Sequence, residues 1–306
     1  MVMRLFAPQF LVVWAFIASA VAVHFRGKVR LGFWRQVSDH STIMAPYNVL
    51  MYTFSAVPNR PILQVEMVPE LKVLRDNWQV IREEAEHLFA QGAIKAADKY
   101  NDWGFNSFFR TGWKRFYLKW YGAPLPSALA NCPKTVELLN SIPNVKGAMF
   151  ANLPPGGKLV QHRDPYAGSL RYHLGLVTPN SDECRIFVDG QPYSWRDGED
   201  LLFDETFIHS AENKTDTTRI ILFCDVERPL RTRVMQAVNR FVSRTVIRAA
   251  STQNTENEPV GALNRVYALF GQGSDLLTRL KRRNRTAFRT VKYALVAALA
   301  YWIFIY

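Results

Sequence analysis

Cysteine is scarce in this chain of 306 residues: there are three, Cys132, Cys184 and Cys224. Their number and spacing exclude a disulfide-stapled scaffold and a closed thiolate zinc site. Histidine is scarce too, with six residues. Acid is missing from one end of the chain and nearly so from the other. Residues 1–35 hold five basic residues and no Asp or Glu, and residues 228–306 hold fourteen basic residues against three acidic ones. The middle, 36–227, carries 19 basic and 23 acidic residues, so the formal +12 belongs to the two ends. A chain basic only at its ends does not read as a nucleic-acid reader; the expected anionic partner is a lipid surface. With 48% hydrophobic residues at this length, the chain supports a full core and is not disordered.

What is present begins with hydrophobic ends. Only Ser19 interrupts the apolar run Phe10 to Val23, which Leu5 to Pro8 extend to about the 20 residues that span a bilayer as a helix. Arg26, Lys28, Arg30 and Arg35 follow, which places the N-terminus outside and the chain after it in the cytoplasm. A cleaved signal peptide ending at Ala18-Ser19-Ala20 is the competing reading. The final run, Tyr293 to Tyr306, has 14 residues, short for a span; it crosses, lies in the interface or folds back. Arg231 to Ala249 reads as an amphipathic helix, with Val234, Val238, Phe241 and Val242 on one arc and Arg233, Arg240, Arg244 and Arg248 on another. Such a helix either lies in the membrane interface or packs on the domain with a solvated basic face. The polar stretch 250–262 reads as a linker. The resulting division is an N-terminal span 1–25, a basic juxtamembrane segment 26–60, a central domain 61–229, a basic amphipathic region and linker 230–292 and a terminal membrane segment 293–306.

In the central domain, Leu71, Leu74, Trp78, Ile81, Ala85 and Leu88 recur at steps of three and four, the stripe of a helix packed on a core. Residues 98–121 interleave aromatics with basic residues, as aromatic strands do, or as a platform beside an apolar anionic substrate does. From Met149 onward the pattern turns to strands: Met149–Leu153, Leu159–His162, Leu170–Val177, Arg185–Val188, Tyr193–Trp195, Asp200–Phe203 and Arg219–Val226. Between them fall Pro154-Pro155-Gly156-Gly157, Asp189-Gly190 and Asp197-Gly198. The expected fold is α+β: a double-stranded β-helix, or cupin-like jelly roll, with flanking helices and hydrophobic membrane segments at both termini.

Three histidines, His162, His173 and His209, fall in the strand region, and Asp164 stands two after His162 at a strand end. Two His and one carboxylate on one face of a metal leave three positions open, the set that suits non-haem Fe(II) oxygenases. Any of these histidines taken alone fits a satisfied core residue equally well. Arg171 and His173 share a face of their strand, and Arg219 opens the apolar run Ile220 to Cys224. A buried arginine there needs a carboxylate, and no acid of the chain is set aside for it; a dicarboxylic cosubstrate would supply one.

The segments His162-Arg163-Asp164, Ser169-Leu170-Arg171-Tyr172-His173, Phe203-Asp204-Glu205-Thr206-Phe207-Ile208-His209 and Arg219-Ile220-Ile221-Leu222-Phe223 resemble the aspartyl/asparaginyl β-hydroxylase family of Fe(II)- and 2-oxoglutarate-dependent dioxygenases, over about Cys132 to Pro229. With His24-Phe25-Arg26-Gly27-Lys28, Phe33-Trp34-Arg35-Gln36 and the hydrophobic ends, the whole chain is most similar to the bacterial lipid A 2-hydroxylases of that family. The resemblance implies His162, Asp164 and His209 as iron ligands and Arg219 at the distal carboxylate of 2-oxoglutarate. It implies Arg171 and His173 near the carboxylate at the metal, and O2 as co-reactant. It also implies lipid A or its precursor as substrate, at a bacterial inner membrane with the catalytic domain facing the cytoplasm. Ala151 departs from a Ser that helps hold the distal carboxylate in the animal enzymes. An aspartyl/asparaginyl hydroxylase acting on protein and a non-catalytic, membrane-tethered metal-binding cupin remain the alternatives.

Overall fold

The computed structural model describes residues 8–266 apart from 38, 96–101, 103, 104 and 110, together with residues 268, 284, 286, 290 and 294. Its strands are β1 (Ile62–Leu63), β2 (Lys114–Trp120), β3 (Val145–Leu153), β4 (Lys158–His162), β5 (Ser169–Val177), β6 (Cys184–Val188), β7 (Gln191–Ser194), β8 (Asp200–Phe203), β9 (His209–Asn213) and β10 (Arg219–Glu227). They pair antiparallel in two sheets, β1-β8-β5-β10-β3-β2 and β4-β9-β6-β7. Strands β3 to β10 therefore alternate between sheets, except at the β6–β7 hairpin, in the order of a double-stranded β-helix, the eight-stranded jelly roll of cupins. The tight turns follow their residues. Asp189 and Gly190 both take positive φ (51° and 81°), joining β6 to β7 through the two-residue turn that matches strand twist.

Strand β9 is absent from the expected set. Its sequence, His-Ser-Ala-Glu-Asn, has one apolar residue, but burial alternates along it with His209, Ala211 and Asn213 inward. Two of its three inward side chains, His209 and Asn213, are polar because they serve a site and a turn rather than a core. The central strands β5 and β10 are buried on both faces. Leu170, Tyr172, Leu174 and Leu176 face one way, and Arg171 and His173 face the space between the sheets.

The outer face of the six-stranded sheet is covered by the stripe read from the sequence, in three pieces rather than one. A 3-10 turn Pro69–Leu71, a short helix Lys72–Asp76 and the helix Trp78–Ala90 follow one another, interrupted at Asn77, whose side chain bonds back to the Val73 carbonyl at 2.8 Å. Leu71, Leu74, Ile81, Ala85 and Leu88 are all fully buried. The three cysteines are buried and unpaired.

Of the expected N-terminal span 1–25, residues 1–7 lie outside the described residues. The apolar N-terminal run forms a helix Pro8–His24 of 17 residues, and no helix among the described residues is long and apolar enough to cross a membrane. Apart from Ala294, the expected segment 293–306 lies outside the described residues. The segment after the first helix docks on the jelly roll. Arg26 reaches Asp204 at 2.6 Å and Arg228 meets the same carboxylate at 2.8 Å, all three buried. Gly27 follows at φ +86°, where an added Cβ would stand 2.7 Å from an Asp189 oxygen. That oxygen accepts the Lys28 and Val29 amides. The polar stretch 250–262 is not a free linker: Asn254 accepts from the Tyr117 amide and donates to its carbonyl, and Glu258 receives the Ser127 and Asn254 amides. Its polar composition reflects hydrogen bonds to the edge strand β2.

Burial works to raise the Asp204 carboxyl, and Arg228 and Arg26 outweigh it, holding it well below the usual range. Its contribution to stability is therefore present above the unfolded-state value of about 3.9 and lost as pH falls below it. Asp204→Ala, which strands two buried guanidinium groups, is expected to lower the unfolding free energy by about 3–5 kcal/mol at pH 7. Urea titrations of both proteins between pH 7 and pH 3 check both, since the difference between the curves should shrink toward the acid end.

Candidate active site

Strands β4 and β9 pair in the smaller sheet with His162 opposite His209, and the chain leaving β4 brings Asp164 to the same point. The ligand atoms of these three residues lie within 4.8 Å of one another, and the imidazole rings stand 4.2 Å apart. Each ring is held by its own strand: Nδ1 of His162 lies 2.7 Å from the Val160 carbonyl and Nδ1 of His209 lies 3.0 Å from the Phe207 carbonyl. A carbonyl only accepts, so Nδ1 carries the proton and Nε2 keeps its lone pair, the arrangement of imidazoles that bind a metal. Burial pushes both imidazoles down, His209 to about 3, so both stay neutral. Burial works to raise Asp164, but the Arg171 guanidinium and the two imidazoles outweigh it and hold the carboxyl at about 2.

Asp164 is positioned by what surrounds it. Its amide donates to the Glu205 carbonyl at 3.0 Å and its carboxylate receives Arg171 Nη2 at 2.8 Å. Arg171 also pairs with Glu205, and with Asp225, its register partner on β10, at 2.9 Å. The guanidinium lies 3.7 Å from the Phe223 ring centre. Three carboxylates thus occupy Arg171, which clamps Asp164 while lining the same cavity as His173. Sequence reasoning missed Glu205 and Asp225 in this role. The signal was there in Asp225, an acid inside the apolar run Ile220 to Val226, which needs a buried cation.

Arg219 behaves otherwise. It is 2% exposed, its Nε and Nη2 have no hydrogen-bond partner, and no carboxylate among the described residues pairs with it. Only the ring of Trp195 covers it, 4.3 Å from the guanidinium carbon, and burial lowers its pKa to about 10. His173, with both ring nitrogens unpartnered, stands among Phe203, Phe223 and Trp195. Arg219, His173 and the three clustered ligands line one cavity between the sheets, and Ala151 lines it too. The residues fit the groups expected. Two neutral imidazoles and a carboxylate suit a divalent iron with open positions, and a buried unpaired guanidinium suits the far carboxylate of a dicarboxylic acid. Ala151 offers no hydroxyl there, which leaves Arg219 to carry that contact.

Residues 75–229 match the sequence profile of the family described as aspartyl/asparaginyl beta-hydroxylase. An ornithine lipid ester-linked acyl 2-hydroxylase of Rhizobium tropici is 33% identical over 192 residues, 62% of this chain and 68% of that protein. The human aspartate beta-hydroxylase domain-containing protein 2 is 34% identical over 169 residues, and the chain spans 45% of its length. A solved prolyl-4-hydroxylase of Pseudomonas putida overlays 50% of this chain and 87% of its own, at TM-score 0.33 and 16% identity. That likeness is too loose to carry the fold, which stands on the strand order above.

Because removing an outer partner of a metal ligand costs 10–100-fold in metal affinity, Glu205→Ala, which loosens the clamp on Asp164, is expected to weaken Mn(II) binding by about that factor. His209→Ala is expected to weaken it by more than about 100-fold. Isothermal titration of the folded variants with Mn(II) measures both.

Proposed function

The chain belongs to the aspartyl/asparaginyl β-hydroxylase family and is a 2-oxoglutarate-dependent dioxygenase, and from that premise we propose that it hydroxylates C2 of a fatty acyl chain on a membrane lipid. Lipid A or its precursor is the substrate that the likeness of the whole chain favours, reached from the cytoplasmic face of a bacterial inner membrane. The observation that carries the chemistry is the cavity itself: a neutral two-imidazole, one-carboxylate set in the same enclosure as a buried guanidinium that has no partner.

His162, Asp164 and His209 would hold the iron, and Arg219 would pair with the distal carboxylate of 2-oxoglutarate. When bound, iron with 2-oxoglutarate and O2 supplies the conversion of an unactivated C–H to C–OH, with succinate and CO2 as co-products. The protein's part is placement and exclusion of water. Arg171 fixes the rotation of Asp164, while Phe108, 4.7 Å from the His162 ring, and Trp195 over Arg219 keep the site apolar where no charge is bound.

The lipid part of the reading is supported by the surface. Trp34, Ile43 and Phe241 are 81%, 72% and 68% exposed, and exposed Arg30, Arg35, Arg233 and Arg244 stand near them in sequence. Apolar side chains among arginines are the pattern of a surface that beds in an anionic leaflet. The Rhizobium relative favours a second lipid, the ester-linked acyl chain of an ornithine lipid.

Mass spectrometry of lipids from expressing cells tests the proposal. Wild type should add a +16 Da species of lipid A, or of ornithine lipid under the second reading, and His162→Ala should add neither; no hydroxylated lipid from wild type sinks both. Arg219→Ala, which removes one partner of a buried charge pair, is expected to raise the KM for 2-oxoglutarate on the order of 100-fold. Steady-state kinetics at saturating lipid reads that value.

A further inference from the structure

A second cavity, of about 300 Å3, meets the first at Phe105, Asp164 and Arg171. It therefore borders the ligand cluster at Asp164, whereas Arg219, the expected partner of the distal carboxylate, lines only the first cavity. Its walls come from two segments outside the family-matched residues 75–229: Ile43 and Met44 on one side, and Val246, Ile247 and Leu263 on the other. The second wall exists because the helix Arg233–Val242 widens into a π-helical turn, Ser243–Ile247, before the chain returns along β2. Such turns recur at functional sites.

The floor of this groove is polar, but its groups are engaged with one another. Arg171 binds Asp164, Asp225 and Glu205, the Tyr121 hydroxyl donates to Asp225 at 3.1 Å, and Ser169 donates to Glu205 at 2.6 Å. A peptide or sugar seated there would give up hydrogen bonds to water and find few replacements. A polymethylene chain gives up none. At the rim, Ile43 and Val246 are exposed, and Arg244 and Arg248 flank Val246 in sequence with their side chains exposed. That rim joins apolar contact to positive charge, as an anionic lipid requires.

We propose that this groove holds the acyl chain being hydroxylated, so that residues 40–47 and 243–263 select the chain while the jelly roll performs the reaction. The inference rests on the lipid-hydroxylase reading for the identity of the chain and on the cavity for its place. Segment 230–264 is then a wall of the substrate site as well as a membrane contact.

The test uses the full-length protein and lipid A bearing a diazirine at the tip of one acyl chain, with an ornithine lipid so labelled as a second arm. Photolysis followed by peptide mapping should place the label within 40–47 or 243–263, and it needs no turnover. In parallel, Ile247→Trp and Leu263→Trp, each shown to bind Mn(II) and 2-oxoglutarate as wild type does, should lower the ratio of kcat/KM for long over short acyl chains at least tenfold. Label elsewhere in the chain, or an unchanged chain-length ratio in both variants of an active enzyme, overturns the proposal. If wild type hydroxylates neither lipid but the label maps to the groove, the function reading fails and the acyl site stands.

Discussion

The guanidinium of Arg171 is the contact on which the rest of the site depends. It stands opposite Asp225 in the β5–β10 register and also grips Asp164 and Glu205. One cation among three buried carboxylates leaves a surplus of negative charge beside two neutral imidazoles. Burial pushes Glu205 and Asp225 above their usual range, while Asp164, held by the guanidinium and the two imidazoles together, stays ionised. A divalent cation at the cluster is the natural counterweight. The same clamp forms the wall shared by the two cavities, so one side chain both orients a ligand and separates the cosubstrate space from the apolar groove.

The ends of the chain are tied to this centre rather than hung from it. Asp204, five residues before His209, is the shared anchor of Arg26 and Arg228. Arg163, between the two ligands of the His-x-Asp motif, donates to the Val23 carbonyl near the end of the N-terminal helix at 2.5 Å. The helix Ala45–Thr53 contributes Asn48, which donates to the Pro165 carbonyl at 2.8 Å and accepts from the Ala167 amide at 3.0 Å. Buried charges and amides are costly unless paired, so these contacts fix the segments around Val23 to Asn48 and Arg228 relative to the site.

Much of the jelly roll was legible because its strands announce themselves. Seven of the eight core strands carry apolar runs bounded by Gly and Pro turns, and the spacing of His162, Asp164 and His209 was visible as residues. Strand β9 was not legible, because a strand that turns His and Asn inward looks like a loop. Nor was the docking of 250–262, where Asn254 satisfies backbone groups on a distant edge strand and Glu258 accepts the Ser127 amide while both read as linker composition. Arg171 shows the same limit from the other side: its face was evident from strand alternation, but its partners lie 7, 34 and 54 residues away in sequence.

The sequence by itself determined the class of fold, the chemistry of the ligand set and the uneven placement of charge along the chain. These are properties of residue type and local period. Tertiary structure alone decided that Arg219 is left without a partner while Arg171 is saturated, and that the groove beside Asp164 is walled by the two segments flanking the family domain. Two buried arginines look alike in a sequence. Which one is free depends on how many carboxylates the register brings within reach, a question of through-space distance on which chain position is silent.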